Sequence, residues 1–117
     1  VGGDAGFNTL IRPALYQAEH NIIVDGKKKG DRLEKVDICG QICENTDIFA
    51  YDYPLPAVKE GDLLVIEDAG AYGHVMAMPY NLRFRPAEIA IYNGRDYEIT
   101  RRETMDDYYS RIKPFKG

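Results

Sequence analysis

The stretch "EIAIYNGRDYEIT" (residues 88–100) places two alternating apolar–polar runs on either side of a bare Asn93-Gly94 pair. Both central positions of a type I′ turn need positive φ, which Asn and Gly tolerate best, so this stretch predicts a tight antiparallel hairpin. Similar short runs recur along the chain between turn residues. "NIIVDG" (21–26) reads as a strand and "KKKGD" (27–31) as a turn. "RLEKVDIC" (32–39) alternates through Leu33, Val36 and Ile38 until Gly40 breaks it. "YDYPLPAVKEGD" (51–62), with two prolines and a Gly-Asp turn, reads as a loop. "LLVIEDAG" (63–70) is the most buried-looking strand, and "AYGHVMAMPYNLRFRP" (71–86) reads as glycine-punctuated and then extended. Short strands at regular spacing with turn signals between them predict a mainly β domain, a barrel or sandwich.

Two short helices complete the pattern. Pro13 suits the first position of "PALYQAEH" (13–20), where its missing N–H would be unpaired anyway. Thr104 with Asp107 three residues on forms a capping box for a last helix, with Met105, Tyr108, Tyr109 and Ile112 on one face.

Length and charge narrow the function. The 117 residues fit one domain, without internal repeat, and can bury a core without staples. A formal net charge of −4 excludes a general nucleic-acid binder, which would show a basic patch. The one dense basic run, "KKKGDR" (27–32), reads as a solvated hairpin tip. No stretch approaches the roughly 18 apolar residues of a membrane helix, and no signal peptide is visible. The chain opens on Val1 rather than Met, so either a removed segment or a piece of a longer polypeptide is expected. Two cysteines make no disulfide scaffold, which points to a reducing compartment, the cytoplasm.

Candidate chemistry lies in a few places. Arg12 and Tyr16, one helical turn apart, can share a face. A guanidinium and a phenol together suit a carboxylate, although an arginine lying along the surface beside a core tyrosine has the same spacing. Cys39 continues an alternating strand and reads as a small buried hydrophobe. Cys43, in "GQICENTD" (40–47), falls after the glycine break beside Glu44 and Asp47, open to either a structural or a chemical reading. A Cys₂His₂ zinc site with His20 and His74 lacks the usual ligand spacing. In "DAGAYG" (68–73), small residues allow close approach of a ligand and Tyr72 can donate a hydrogen bond to an anion. The alternating Arg83 and Arg85 of "YNLRFRPAE" (80–88) read as structural.

Taken in order, "DAGFNTLIRPALY", "GQICENTD", "GDLLVIEDAGAYGHVMAMPYN" and "RPAEIAI" resemble the C-terminal domain of the diaminopimelate decarboxylases. These are alanine-racemase-like, pyridoxal 5′-phosphate-dependent enzymes that make L-lysine and CO₂ from meso-diaminopimelate. The resemblance implies a Greek-key-type β-barrel domain over residues 1–117, joined in the full protein to a (β/α)₈ barrel that holds the cofactor and is absent here. It implies that Arg12 and Tyr16 hold the distal carboxylate of the substrate, that Glu44 reads its distal ammonium, and that Tyr72 lies near the cofactor phosphate and substrate. It implies that Cys43 is the catalytic thiol, crossing a homodimer interface into the partner's site. A thiol, with an ordinary pKa of about 8.5, keeps its proton at neutral pH and can protonate a carbon, and a neighbouring carboxylate disfavours the thiolate. Gln41 and Asn45 depart from the proline and serine usual in the family. The alternatives are another basic amino-acid or carboxynorspermidine decarboxylase of the same fold, or a non-catalytic binding domain.

Overall fold

A computed structural model describes residues 1–28 and 30–117. Lys29, part of the expected turn at 27–31, lies outside the described residues. The chain forms two compact units, Val1–Ala77 and Met78–Gly117.

The first unit carries helix α1 (Arg12–Tyr16), strands β1 (Ile22–Val24), β2 (Leu33–Cys39), β3 (Ile48–Pro56) and β4 (Leu64–Ile66), and the single turn α2 (Gly73–Met76). Among the described residues β1 pairs with β4 and β2 with β3, both antiparallel. Alternation sets the faces, with Ile22 and Val24 of β1 buried and Ile23 between them exposed. The core gathers Leu10, Ile22, Val24, Ile38, Phe49 and Leu55, of which Ile38 and Leu55 are 1% exposed. Burying such a side chain contributes roughly 1.5–3 kcal/mol.

The mainly β expectation holds, with differences inside it. "YDYPLP" is strand rather than loop. Pro54 and Pro56 of β3 stand opposite Lys35 and Leu33; among the described residues β3 pairs with β2 alone, and an edge strand tolerates the missing N–H. The β2–β3 register slips between Val36/Tyr53 and Ile38/Ala50, so β3 carries an extra residue there. Asp52, at φ 52°, takes up the bulge and donates its N–H to Asp37 Oδ1 at 2.9 Å. β4 is three residues long with Val65 exposed, as is Leu63 just before it, so the deepest burial lies in β2 and β3 instead. α1 stops at Tyr16 because Gln17 turns left-handed (φ 53°) and, with Ala18, donates to the Arg12 carbonyl. Cys39 is half-buried rather than buried, its thiol 3.5 Å from the Val1 carbonyl. That carbonyl also accepts the Cys39 N–H at 2.9 Å, and Gly3 N–H donates to the Cys39 carbonyl at 2.8 Å, laying residues 1–3 parallel to β2.

The second unit begins with a tight turn at Tyr80–Leu82, where Asn81 and Leu82 take φ 55° and 54°, so part of the stretch expected to be extended turns instead. The hairpin follows as β5 (Glu88–Tyr92) and β6 (Arg95–Thr100), with Asn93 and Gly94 at φ 51° and 70°, as the type I′ reading requires. Helix α3 (Met105–Tyr109) has the expected capping box, with Thr104 N–H 2.7 Å from Asp107 Oδ2. Arg101 grips both Asp107 oxygens at 2.8 and 2.7 Å and, with the Thr104 N–H, holds that carboxyl well below the usual range. The expected apolar face is not buried. Met105, Tyr109 and Ile112 are exposed, and only Tyr108 packs, its ring 5.6 Å from that of Phe84. Arg85 has the structural role expected of it, pairing with Glu103 at 2.7 Å through its guanidinium and at 2.9 Å through its N–H. Burial pushes the Glu103 carboxyl up, but the Arg85 N–H and guanidinium outweigh it and the net shift is downward.

Back in the first unit, a β-carbon added to Gly40 would overlap the Asp47 carboxylate and the Gly6 backbone. Gly40→Ala is therefore expected to cost about 1–3 kcal/mol, the usual range for overpacking. A urea midpoint unchanged from the parent would contradict this.

Candidate functional site

The five residues singled out from sequence, Arg12, Tyr16, Cys43, Glu44 and Tyr72, all fall within residues 1–77. The helix starts at Arg12, one residue before the expected Pro13, whose fixed φ supports the first turn, so Arg12 and Tyr16 occupy its two ends. Arg12 is half-buried and Tyr16 is 59% exposed. Among the described residues Arg12 has no ion-pair partner, whereas Arg85 and Arg101 each hold a carboxylate. A half-buried guanidinium without a carboxylate is a ready anion receptor.

Residues 40–47 form a closed loop between β2 and β3. Gly40 N–H meets the Asp47 carbonyl at 2.9 Å, and Asp47 N–H meets the Glu44 carbonyl at 3.0 Å. Ile42 is 7% exposed and points inward, and the next residue, Cys43, is exposed. Neither cysteine is in a disulfide, and the described residues hold no group of three or more metal-ligating side chains.

Glu44 folds over its own turn. The Thr46 hydroxyl donates to one carboxylate oxygen and the Thr46 N–H to the other at 3.3 Å. The hydroxyl is the main cause of the downward shift of the Glu44 carboxyl, helped by the N–H groups of Thr46 and Asn45. Glu44 is thus an exposed, ionised carboxylate at neutral pH, suited to an ammonium.

Asp47, read from sequence as a polar neighbour of the thiol, is 3% exposed and faces inward. Its Oδ1 accepts the Phe7 N–H and its Oδ2 the Ile42 N–H, both at 2.7 Å. The loop carrying Cys43 and Glu44 is thereby tied to the segment leading into α1. The contacts of the described residues tie Tyr72 to neither group. It caps α2 at φ 63°, a left-handed conformation costing a non-glycine residue of order 1–3 kcal/mol, and it is 63% exposed. One exposed phenol fits a single contact to a phosphate rather than a whole cradle.

His20, weighed from sequence as a zinc ligand, is buried with Nδ1 3.0 Å from the Glu67 carbonyl. Two open clefts, of about 610 and 710 Å³, flank the core on the sides of β3 and of residues 1–5, and none of the five residues lines either. Tyr16, Cys43, Glu44 and Tyr72 are exposed, and Arg12 is half-buried.

The depressed Glu44 carboxyl gives a direct check. In Thr46→Val the Glu44 pKa is expected to rise toward the ordinary glutamate value as the hydroxyl is lost, with the loop fold retained. Carbon-detected NMR titration reads it, and an unmoved Glu44 would contradict the assignment of cause.

Residues 1–70 match the family described as pyridoxal-dependent decarboxylase, C-terminal sheet domain. The chain is 46% identical over 107 residues to diaminopimelate decarboxylase of Methanothermobacter thermautotrophicus, covering 92% of this chain and 25% of the relative. It is 41% identical over 116 residues to the Bacillus subtilis protein of that name, covering 99% and 26%. Among solved structures, diaminopimelate decarboxylase from M. jannaschii in complex with L-lysine superposes with a TM-score of 0.87 at 43% identity, covering 97% of this chain and 26% of that one. The chain thus spans about a quarter of the length of these relatives. It belongs to the pyridoxal-dependent decarboxylases, as their C-terminal sheet domain.

Proposed function

We propose that residues 1–117 act as one C-terminal domain of a diaminopimelate decarboxylase, converting meso-2,6-diaminopimelate to L-lysine and CO₂ in the cytoplasm. The observation that carries this reading is that two side chains of opposite charge, Arg12 and Glu44, have no salt-bridge partner among the described residues. Half-buried Arg12 has no carboxylate of its own, and Glu44 is held ionised by Thr46. The end of diaminopimelate that does not react carries one carboxylate and one ammonium, and the two side chains complement both. Leaving one such charge unpaired in a closed site costs roughly 2–5 kcal/mol, enough to select the substrate. The names of the relatives and the L-lysine complex of the M. jannaschii enzyme support the same chemistry.

In this reading Arg12 receives the distal carboxylate through its two-pronged fork, with the Tyr16 hydroxyl as an added donor. Glu44 pairs with the distal ammonium. Tyr72 would touch the phosphate of pyridoxal 5′-phosphate, whose bound ring supplies a sink for the electron pair left by the departing carboxylate. Cys43 holds its proton at Sγ and delivers it to the α-carbon on one face. The main hold on the cofactor belongs to an N-terminal (β/α)₈ barrel of the same polypeptide. The two-stranded sheets close into a Greek-key-type barrel in the full protein, and Cys43 and Glu44 serve the partner's site in a homodimer.

The test uses the intact, cofactor-loaded enzyme with meso-diaminopimelate and, for comparison, ornithine, arginine and carboxynorspermidine. CO₂ release from diaminopimelate alone is expected. Cys43→Ala should lower kcat by about 10²–10⁴, the usual contribution of a positioned acid. Arg12→Leu should raise KM for diaminopimelate at little cost to turnover. Turnover of a substrate without a distal carboxylate, with KM indifferent to Arg12→Leu, would assign the protein to another decarboxylase of the same fold. Full activity in Cys43→Ala would remove the thiol from the mechanism.

A further inference from the structure

We infer that Thr46 is a specificity-determining residue of this site, joining Glu44 in a two-residue acceptor for a primary ammonium. The inference rests on the reading of Glu44 as the group that meets the distal ammonium of the substrate. Thr46 and Glu44 sit on one turn, so they serve the same site, which in the proposed homodimer is the partner's.

The backbone sets the geometry. Asp47 N–H on the Glu44 carbonyl at 3.0 Å closes the turn and holds Thr46 beside Glu44. The Thr46 carbonyl accepts the Ile48 N–H at 2.7 Å, and the Thr46 N–H donates to Glu44 Oε1 at 3.3 Å. Both backbone groups of Thr46 are therefore engaged, and its hydroxyl donates to Glu44 Oε2. A hydroxyl has one proton and two acceptor lone pairs. With that proton committed to Glu44, the Thr46 oxygen can only accept. An ionised carboxylate offers about four acceptor positions, so the two Thr46 donors leave about half of them open. A primary ammonium brings three N–H donors and no acceptor, which suits an array built only of acceptors. Glu44 takes part of its donors and the Thr46 oxygen another. Both residues are exposed, and Glu44 has no salt-bridge partner among the described residues, so the array is open to a ligand. The same hydroxyl is the main cause that lowers the Glu44 carboxyl, which keeps the array anionic.

The experiment uses the intact, cofactor-loaded enzyme and two probes, L-lysine and 6-aminohexanoate, with each Kd read by titration. L-lysine keeps the ammonium and carboxylate of the end of diaminopimelate that does not react, and 6-aminohexanoate is the same molecule without that ammonium. Thr46→Val keeps the branched shape and removes the hydroxyl, whereas Thr46→Ser keeps the hydroxyl. Thr46→Val is expected to weaken L-lysine about 10-fold near pH 8, the order of one hydrogen bond to a charged group, and to leave 6-aminohexanoate unchanged. Thr46→Ser should retain most of the parent's preference for L-lysine. A pH series separates two ways in which the hydroxyl can act. Glu44 must be ionised to hold the ammonium, so L-lysine binding is lost as pH falls through the folded pKa of Glu44. Without the hydroxyl that pKa rises, and the acid limb moves to higher pH in Thr46→Val. A loss confined to acid pH means that Thr46 acts through ionisation alone, which overturns the acceptor role. Equal weakening of both probes overturns it as well, since the hydroxyl then serves the loop rather than the ammonium. A parent enzyme that binds both probes equally removes the reading of Glu44, and the inference falls with it. A parent that prefers L-lysine by the same ratio as Thr46→Val leaves that reading standing and refutes the role of Thr46 alone.

Discussion

One buried carboxylate organises the first unit. Asp47 satisfies the N–H groups of Phe7 and Ile42, two residues that are each 7% exposed. A buried N–H left without an acceptor costs about 1–3 kcal/mol, and a hydrogen bond to a charged group contributes about 1.5–3 kcal/mol. The Asp47 backbone closes the same loop onto Gly40. Side chain and backbone of a single residue thus fix the end of β2, the start of β3 and the approach to α1. The two glycines follow from this, since any β-carbon at Gly40 would occupy the space of the carboxylate. Gly6 has a comparable constraint, with Asn8, Asp47 and Ile42 around its open side.

What sequence revealed of the fold tracks how local the cause is. The Asn93-Gly94 hairpin and the Thr104–Asp107 capping box each rest on a few neighbouring residues, and both are present as read. β3 was hidden because its two prolines argue for a loop, and only its edge position makes them acceptable. α1 ends sooner than its composition suggests because Gln17 adopts a left-handed conformation, with nothing in its side chain to announce it. β4 looks buried by hydropathy, yet Leu63 and Val65 face outward, since burial depends on which strands lie opposite. The apolar pattern of α3 similarly promised a face, of which Tyr108 stacks on Phe84 while Met105, Tyr109 and Ile112 stay exposed.

The candidate site divides in the same way. The Arg12–Tyr16 spacing was legible because one helical turn converts it directly into a shared face. The outward position of Cys43 follows from Ile42 turning inward, a local alternation. The hold of Thr46 on Glu44 is also local, two residues apart, and a carboxylate followed by a hydroxyl at that spacing could have been read as a turn of this kind. The burial of Asp47 could not be read, because its partner Phe7 is 40 positions away and the bond is to backbone, which leaves no trace in side-chain identity. The available signal was indirect, a pair of glycines, Gly6 and Gly40, where a strand end and a loop start would tolerate alanine.

Exposure bears on how the proposed chemistry is completed. A thiol in open water exchanges its proton with solvent, and a carboxylate or guanidinium in open water gains little from an opposite charge, because the dielectric screens it. Cys43, Glu44, Tyr16 and Tyr72 are all exposed, and neither cleft includes them. Selectivity between one protonated face and the other, or between a substrate with a distal carboxylate and one without, requires that water be displaced from these groups. The side chains of this unit cannot displace it from a surface they themselves present. The proposed reaction therefore needs a second surface laid over Cys43 and Glu44, which the partner protomer of the proposed homodimer supplies.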